Sequence, residues 1–324
     1  MATDTLVRRT PARTRARKAK QAVGLGTRMR RNWQLYAMLA IPLVWLAIFA
    51  YWPMYGAIIA FKDYNVVDGI LGSRWVGVKH FERFVESYQF WRLLKNTLIL
   101  HVYELLATFW LPILLALGLN MARRRWYRRS VQLITYAPHF ISTVVVVGLI
   151  VVIVDPNSGV LNQFLALLGL GPIDVLSNPD YFRHLYVWSG AWQTMGFSAI
   201  IYLAALTSVS PELHEAAIVD GASRLRRIWH IDLPAIRPVA VILLILNIGS
   251  IMSVGFEKVL LLQNTLNLQT SEVLDTYVYK LGFASQVPQF SYAAAIGLFR
   301  SVVGLALLVL ANAVARRFAK SSLW

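Results

Sequence analysis

The chain has 324 residues, of which 57% are hydrophobic and 15% charged, with no cysteine and a formal net charge of +16. Soluble domains carry about 25% charged residues, so the composition argues for a membrane protein, and without cysteine there are no disulfides, lipoprotein anchor or iron–sulfur centre. The positive charge does not point to nucleic acid: ten of the 32 basic residues lie between Arg8 and Arg31, and five more lie between Arg123 and Arg129 beside apolar stretches.

The basic arm, 1–34, comes first. Lys and Arg clusters beside spans orient a protein with those segments in the cytoplasm, and specific binding of anionic lipid by the arm is the second reading. The apolar stretch that follows, 35–61, is longer than the ~7–15 residues of a signal-peptide core. It reads as the first of six transmembrane helices, the others being about 94–122, 131–154, 184–207, 237–260 and 291–315, each near or above the ~20 residues a span needs. The fold class is therefore all-α and polytopic, with one transmembrane domain over 35–324 and no internal repeat. With the N-terminus inside, the segments 1–34, 123–130, 208–236 and 316–324, with Arg237 at the membrane edge, hold 22 of the 32 basic residues.

Between the first two spans, Phe81, Phe84, Val85 and Tyr88 recur at helical spacing among Lys79, Glu82, Arg83 and Glu86, which predicts a short helix lying in the membrane interface. In the third span Tyr136, His139, Ser142 and Thr143 fall near one helical face. The fourth carries Ser189, Gln193 and Tyr202, with Trp188 and Trp192 nearby. Polar groups inside spans are costly and face a cavity or another helix. Hydroxyl-rich solutes suit such a lining, because side chains hydrogen-bond the hydroxyls and rings stack on the apolar sugar faces. The competing reading is that these groups only hold helices together.

The segment Ser210-Pro211-Glu212-Leu213-His214-Glu215-Ala216-Ala217-Ile218-Val219-Asp220-Gly221-Ala222-Ser223 follows, inside a loop of about 208–236. Ser210 is a suitable N-cap, Pro211 fits the first helical turn, and Gly221 permits the left-handed turn that ends the helix. A second short helix is expected over Ala222–His230, stopped by Leu233-Pro234. The small faces of Ala216 and Ala217 with the carboxylate of Glu215 make a docking knob for a partner's cleft. The plainer reading is an ordinary amphipathic loop. His214, beside Glu215, reads as surface packing.

The fifth span offers Asn247, Ser250, Ser253 and Glu257. In the loop at 261–290, Val273, Leu274, Tyr277, Val278 and Leu281 predict a helix capped by Thr270 or Ser271 and ended by Gly282. The sixth span holds Arg300 and Asn312. Arg300 is too deep to snorkel from a lipid-facing position, and pairing with Glu257 is the simplest account of it. The alternative is that Arg300, helped by Lys258, offers positive potential to an acidic sugar.

Glu215-Ala216-Ala217-x-x-Asp220-Gly221-Ala222, followed by Ile231-x-Leu233-Pro234 and Pro238, resembles the EAA loop of binding-protein-dependent ABC importer permeases. Tyr51-Trp52-Pro53-Met54-Tyr55-Gly56, Ala60-Phe61-Lys62-Asp63-Tyr64-Asn65, Trp75-Val76-Gly77, Tyr136-Ala137-Pro138-His139-Phe140-Ile141-Ser142 and Asp275-Thr276-Tyr277-Val278-Tyr279 look like the LplB-type carbohydrate permeases. Within them the chain is most similar to permease subunits of bacterial alginate importers. The likeness covers nearly everything after residue 34.

The resemblance implies a permease subunit of an ATP-driven oligo- or polysaccharide importer in the bacterial inner membrane. Its coupling residues would be Glu215, Ala216, Ala217, Asp220, Gly221, Ala222, Leu233 and Pro234. Its substrate path would draw on Tyr136, His139, Trp192, Gln193, Tyr202, Asn247, Ser250, Glu257 and Arg300. Implied partners are a second permease chain, two cytoplasmic ATPase subunits that bind ATP and Mg, and an extracytoplasmic sugar-binding protein received around Tyr277 and Leu281. The chain has no phosphate-loop motif, no H-E-x-x-H, no G-x-S-x-G and no metal-ligand spacing of its six histidines. It is therefore not expected to be an enzyme by itself or to hold a metal or cofactor. The alternative is an ion-coupled secondary transporter of a sugar or other polar solute, which needs buried acidic groups; Glu257 is the candidate within a span.

Overall fold

The computed structural model describes residues 32–122, 124–252 and 255–318. The chain falls into two units, Met1–Gly56 and Ala57–Trp324. The basic arm before residue 32, Arg123, Ser253 and the last six residues lie outside the described residues.

In the first unit, helix α1 (Trp33–Leu46) passes into a π turn, Ala47–Tyr51, and a further turn, Trp52–Met54. In the second, a two-residue antiparallel ribbon pairs β1 (Lys62–Asp63) with β2 (Arg74–Trp75) ahead of α2 (Lys79–Val85). The long helix α3 (Phe90–Met121) follows, then α4 (Arg125–Tyr136), α5 (Thr143–Val154), α6 (Val160–Leu167) and a second long helix, α7 (Pro179–Thr207). After α8 (Pro211–Val219) and α9 (Arg224–Arg227) come α10 (Leu233–Gly249), α11 (Phe256–Leu262), α12 (Leu268–Ser271), α13 (Leu274–Tyr279) and α14 (Phe290–Phe318).

Among the described residues, four helical stretches are long and apolar enough to cross a membrane: Trp33–Phe61, Phe90–Met121, Arg224–Gly249 and Phe290–Arg317. The pairs α4–α5 and α7–α8, bent by 102° and 73°, bring the number to six if each counts as one span. The all-α membrane fold expected from the sequence is therefore present.

Two expected spans are broken. The third turns between α4 and α5 through a short 3-10 segment, Ala137–Phe140. Pro138 has no N–H to continue the ladder, and the Ser142 hydroxyl restarts the helix by accepting from the Val145 N–H at 3.4 Å. Tyr136, His139, Ser142 and Thr143 therefore do not share one helical face. The fifth breaks between Gly249 and Phe256, so Asn247 and Glu257 belong to different helices.

The expected stop at Leu233-Pro234 is also absent. Residues 224–249 run as one helical stretch through a π turn, Ile228–Asp232. Pro234 falls in the first turn of α10, where its missing N–H need not break the helix.

Three apolar clusters hold the second unit together. Ile113, Leu117, Ala199, Leu203 and Ile236 join α3, α7 and α10 at the end that carries α8. At the opposite end Leu100, Val146, Phe182, Val187 and Val259 join α3, α5, α7 and α11. Phe84, Phe90, Leu274, Tyr292 and Ile296 form the third. Helix α2 is present as predicted, but Phe84 is only 1% exposed and packs edge-on against Phe90 and Phe299. Phe84 thus turns into the core while Val85 stays exposed, and Tyr88 lies beyond the helix end, exposed.

Candidate functional site

The segment after α7 folds from its own local rules. The Ser210 hydroxyl accepts from the Glu212 N–H at 3.3 Å and Pro211 opens α8. At the other end Gly221 has φ +73°, and the Ala222 and Gly221 N–H groups donate to the carbonyls of Ala217 and Ile218 at 2.8 and 3.0 Å. These are the two bonds of a Schellman ending, which wants glycine at this position. Glu215, Ala216, Asp220 and Gly221 are exposed, while Ala217 and Ala222 are half-buried. Leu213, Ile218 and Val219 of α8 and Leu225 of α9 are likewise exposed apolar side chains. Leu233 is half-buried and Pro234 exposed.

Beneath this surface His214 is not simple surface packing. Its Nε2 lies 3.5 Å from Oδ1 of Asp232, which is 2% exposed, and Asn120 of α3 donates to the same oxygen at 3.3 Å. A cavity of about 580 Å³ lies here, lined by Asn120, Pro211, His214, Glu215, Arg224 and Asp232 among others. The loop is thus tied to two long helices at their ends.

Within the bundle the expected path residues divide. Tyr202 and Asn247 line one cavity of about 430 Å³ together with His101, Glu104, Thr108 and Thr194. Gln193 is elsewhere: its amide donates to the Ile141 carbonyl at 2.9 Å, at the break between α4 and α5. His139 stacks on Phe197 with centroids 3.9 Å apart, Tyr136 is half-buried, and Trp192 is 47% exposed. The Asn247 amide donates to Leu243 and the Ser250 hydroxyl to Asn247, both within their own helix.

Arg300 pairs with Asp275 of α13, not with Glu257, which is exposed. The sequence reading took Glu257 as the acidic residue within a span and overlooked Glu104. The Glu104 carboxylate sits beside the Lys258 ammonium and the Tyr186 hydroxyl. A Cβ built on Gly190 would stand 3.2 Å from Lys258 Nζ and 3.8 Å from Glu104 Oε1. Lys258 is buried, and it donates to the Tyr186 carbonyl at 3.0 Å and lies over the Tyr186 ring. An acidic residue among leucines at Glu104-Leu105-Leu106 was the signal that could have found this pair.

A second group of side chains joins α3 to α7. Trp188 Nε1 donates to the Tyr103 hydroxyl at 2.8 Å, and that hydroxyl meets His184 Nδ1 at 2.8 Å. Trp188 is 52% exposed, and Trp192 stands one turn further along α7. Helix α13 stands where the sequence put a helix, but Val273 is its N-cap in place of Thr270 or Ser271, and Gly282 lies inside a π turn, Lys280–Ala284. Tyr277 and Leu281 pack against the Phe84 cluster, whereas Phe283 and Val287 are 74% exposed. Burial pushes the Tyr277 phenol well above its ordinary pKa.

Residues 109–320 match the family described as binding-protein-dependent transport system inner membrane component. The chain is 46% identical over 290 residues to the polygalacturonan/rhamnogalacturonan transport system permease protein YteP of Bacillus subtilis, covering 90% of each chain. It is 43% identical over 296 residues to Protein LplB of the same organism, covering 91% of this chain and 92% of that one. A crystal structure of a bacterial ABC transporter involved in the import of the acidic polysaccharide alginate contains a chain that superposes with TM-score 0.84 at 41% identity, over 91% of this chain and 99% of that chain. A second, in complex with an alginate pentasaccharide-bound periplasmic protein, matches with TM-score 0.85. Identity and coverage of this extent settle the kinship: the chain belongs to the family of membrane permease components of binding-protein-dependent transport systems.

Proposed function

We propose that the protein is the permease half of an ATP-driven importer of oligo- or polysaccharide, acidic ones included, in the bacterial inner membrane with its N-terminus in the cytoplasm. It pairs with a second permease chain, and two cytoplasmic ATPase subunits supply ATP and Mg. A sugar-loaded binding protein docks on the outer face. Closure of the ATPase dimer pushes on α8 and switches the bundle between outward and inward access.

The observation that carries this reading is α8 itself: a capped, solvent-facing helix that offers Glu215, Ala216 and an apolar surface, and is roped to α3 and the start of α10 through His214, Asn120 and Asp232. Small residues allow close approach to a cleft, and the carboxylate adds a charge-assisted contact. The names of the relatives support the solute class. YteP is named for polygalacturonan and rhamnogalacturonan, and the superposed chain for alginate. The polar cavity and the Trp188–Trp192 strip are suited to hydroxyls and sugar faces. For docking of the binding protein, exposed Phe283 and Val287 beside α13 are the residues to vary, because Tyr277 and Leu281 also serve the core.

The test is to purify the tagged chain in mild detergent, identify stoichiometric partners by mass, and repeat with Glu215→Arg. Recovery of a second multispanning chain and a phosphate-loop ATPase is expected. The variant should insert normally yet lose the ATPase or its stimulation by the loaded binding protein. Normal ATP-driven uptake by Glu215→Arg sinks the coupling role, and solute movement by the chain alone without ATP sinks the importer reading.

A further inference from the structure

At the end of the bundle away from α8, Glu272 holds two cations. Its Oε2 accepts from Arg92 Nη2 at 2.6 Å and its Oε1 from Lys280 Nζ at 3.2 Å. The carboxylate side chain is 8% exposed, but those of Arg92 and Lys280 are 37% and 35% exposed. A third cation joins through Asn96. Arg183 Nη2 donates to the Asn96 amide oxygen at 3.0 Å, while the Asn96 amide donates to the carbonyls of Gln269 and Glu272. This bonded cluster has three cations and one carboxylate. The Arg92 side chain is 37% exposed, so its five-donor guanidinium has more to offer than the one bond to Glu272.

Of the other buried cations in the outer half, Arg300 meets Asp275, Lys258 meets Glu104 and the Tyr186 carbonyl, and Lys62 is held by the carbonyls of Ile70 and Leu71. Excess positive charge therefore collects at Arg92, Lys280 and Arg183. On α3, Arg92, Asn96 and Tyr103 stand at i, i+4 and i+11, the same helical face over about 16 Å of rise. Tyr103 is the residue hydrogen-bonded to His184 and Trp188. The cationic cluster and the aromatic strip thus lie along one face of α3, with the buried Asn96 between them.

We infer that this cluster is a carboxylate-reading station at the outer mouth, where Arg92 and Lys280, backed by Arg183, take a uronate carboxylate of an acidic oligosaccharide whose rings then meet Trp188. The inference rests on the saccharide-permease reading and adds the residues that select charge. Glu272 positions the two cations without neutralising them both. A planar guanidinium fork suits a carboxylate, and a half-exposed charge-assisted contact contributes selectivity at low salt. A sugar is favoured over a lipid headgroup because the same face of α3 carries, further along, the Tyr103 hydroxyl bonded to the Trp188 indole, groups that suit sugar hydroxyls and ring faces.

The probes are trigalacturonate and its trimethyl ester, which keeps the rings and removes the charge. Each is titrated onto the intact complex in phosphatidylcholine nanodiscs, without binding protein, by tryptophan fluorescence and calorimetry. The acid is expected to bind about tenfold tighter than the ester at low salt, with the preference shrinking at high salt. The variant carrying Arg92→Gln and Lys280→Gln should lose the preference while binding the ester as before, and unchanged ester binding shows that the fold survived. Equal binding of acid and ester by the unaltered complex overturns the inference, as does a preference that persists in the variant or a failure of both sugars to bind. Loss of the preference on adding phosphatidylglycerol reassigns the cluster to lipid and also overturns it. ATP-driven uptake from the loaded binding protein, measured on the same complex, decides separately whether the permease reading stands.

Discussion

Single residues in this bundle act mostly through the partner they are given. Arg300 looks, in sequence, like a lone cation deep in an apolar helix, yet Asp275 from a neighbouring short helix neutralises it. Lys258 is buried beside Glu104. Removing one member of a buried charge pair leaves the other uncompensated, at a cost on the order of 3 kcal/mol. Glu104→Ala should therefore lower the melting temperature of the purified complex clearly, and adding Lys258→Met should restore most of it. If the double variant is no more stable than the single one, the two charges are not paired. A backbone example is Gly221, whose φ of +73° suits glycine best and a β-branched residue least. Gly221→Val should cost about 1–2 kcal/mol locally and fray the end of α8, read as faster amide exchange at Ala217–Ala222 with the spans unaffected.

At the scale of elements, close approach and proline decide the shape. Helix α7 passes α4 so closely that a Cβ at Gly196 would stand 2.9 Å from the Thr135 Cβ and nearer still to the Thr135 carbonyl. Gly196→Leu should separate the two helices and abolish recovery of the folded complex by size-exclusion chromatography, whereas Gly118→Leu, in open space, should be tolerated. Phe84 shows how an outer segment is pinned. It meets Phe90, Tyr292 and Phe299 in edge-to-face geometry, so Phe84→Ala should cost about 3–5 kcal/mol and loosen α2 against α14. Protease nicking of residues 62–89 in the variant but not in the parent is the expected readout.

For the whole molecule, the α8 surface is where the chain needs company. Leu213 and Val219 are 56% and 87% exposed, an arrangement a soluble partner would cover. Charges at both, Leu213→Glu with Val219→Glu, should weaken recovery of the ATPase subunit at least about tenfold and leave the melting temperature of the chain unchanged. Undiminished recovery would show that the partner seats elsewhere.

Much of this could be read directly from the residues. The all-α membrane class, the limits of the second and sixth spans, the Ser210–Pro211 start and Gly221 end of α8, and kinship through the EAA loop all rest on local chemistry: hydropathy over ~20 residues, caps, and the residue type that most readily accepts a positive φ. What the sequence missed depends on distant chain segments. It could not say that Pro138 would bend the third span while Pro234 would be absorbed into a continuing helix, because the outcome depends on which neighbours catch the freed carbonyls. Nor could it pair Arg300 with Asp275, set Glu104 against Lys258, or gather Arg92, Arg183 and Lys280 around Glu272, residues separated by up to 188 positions (Arg92 to Lys280). Buried charges choose partners by proximity in space, and only the packing of α3, α7, α13 and α14 creates that proximity.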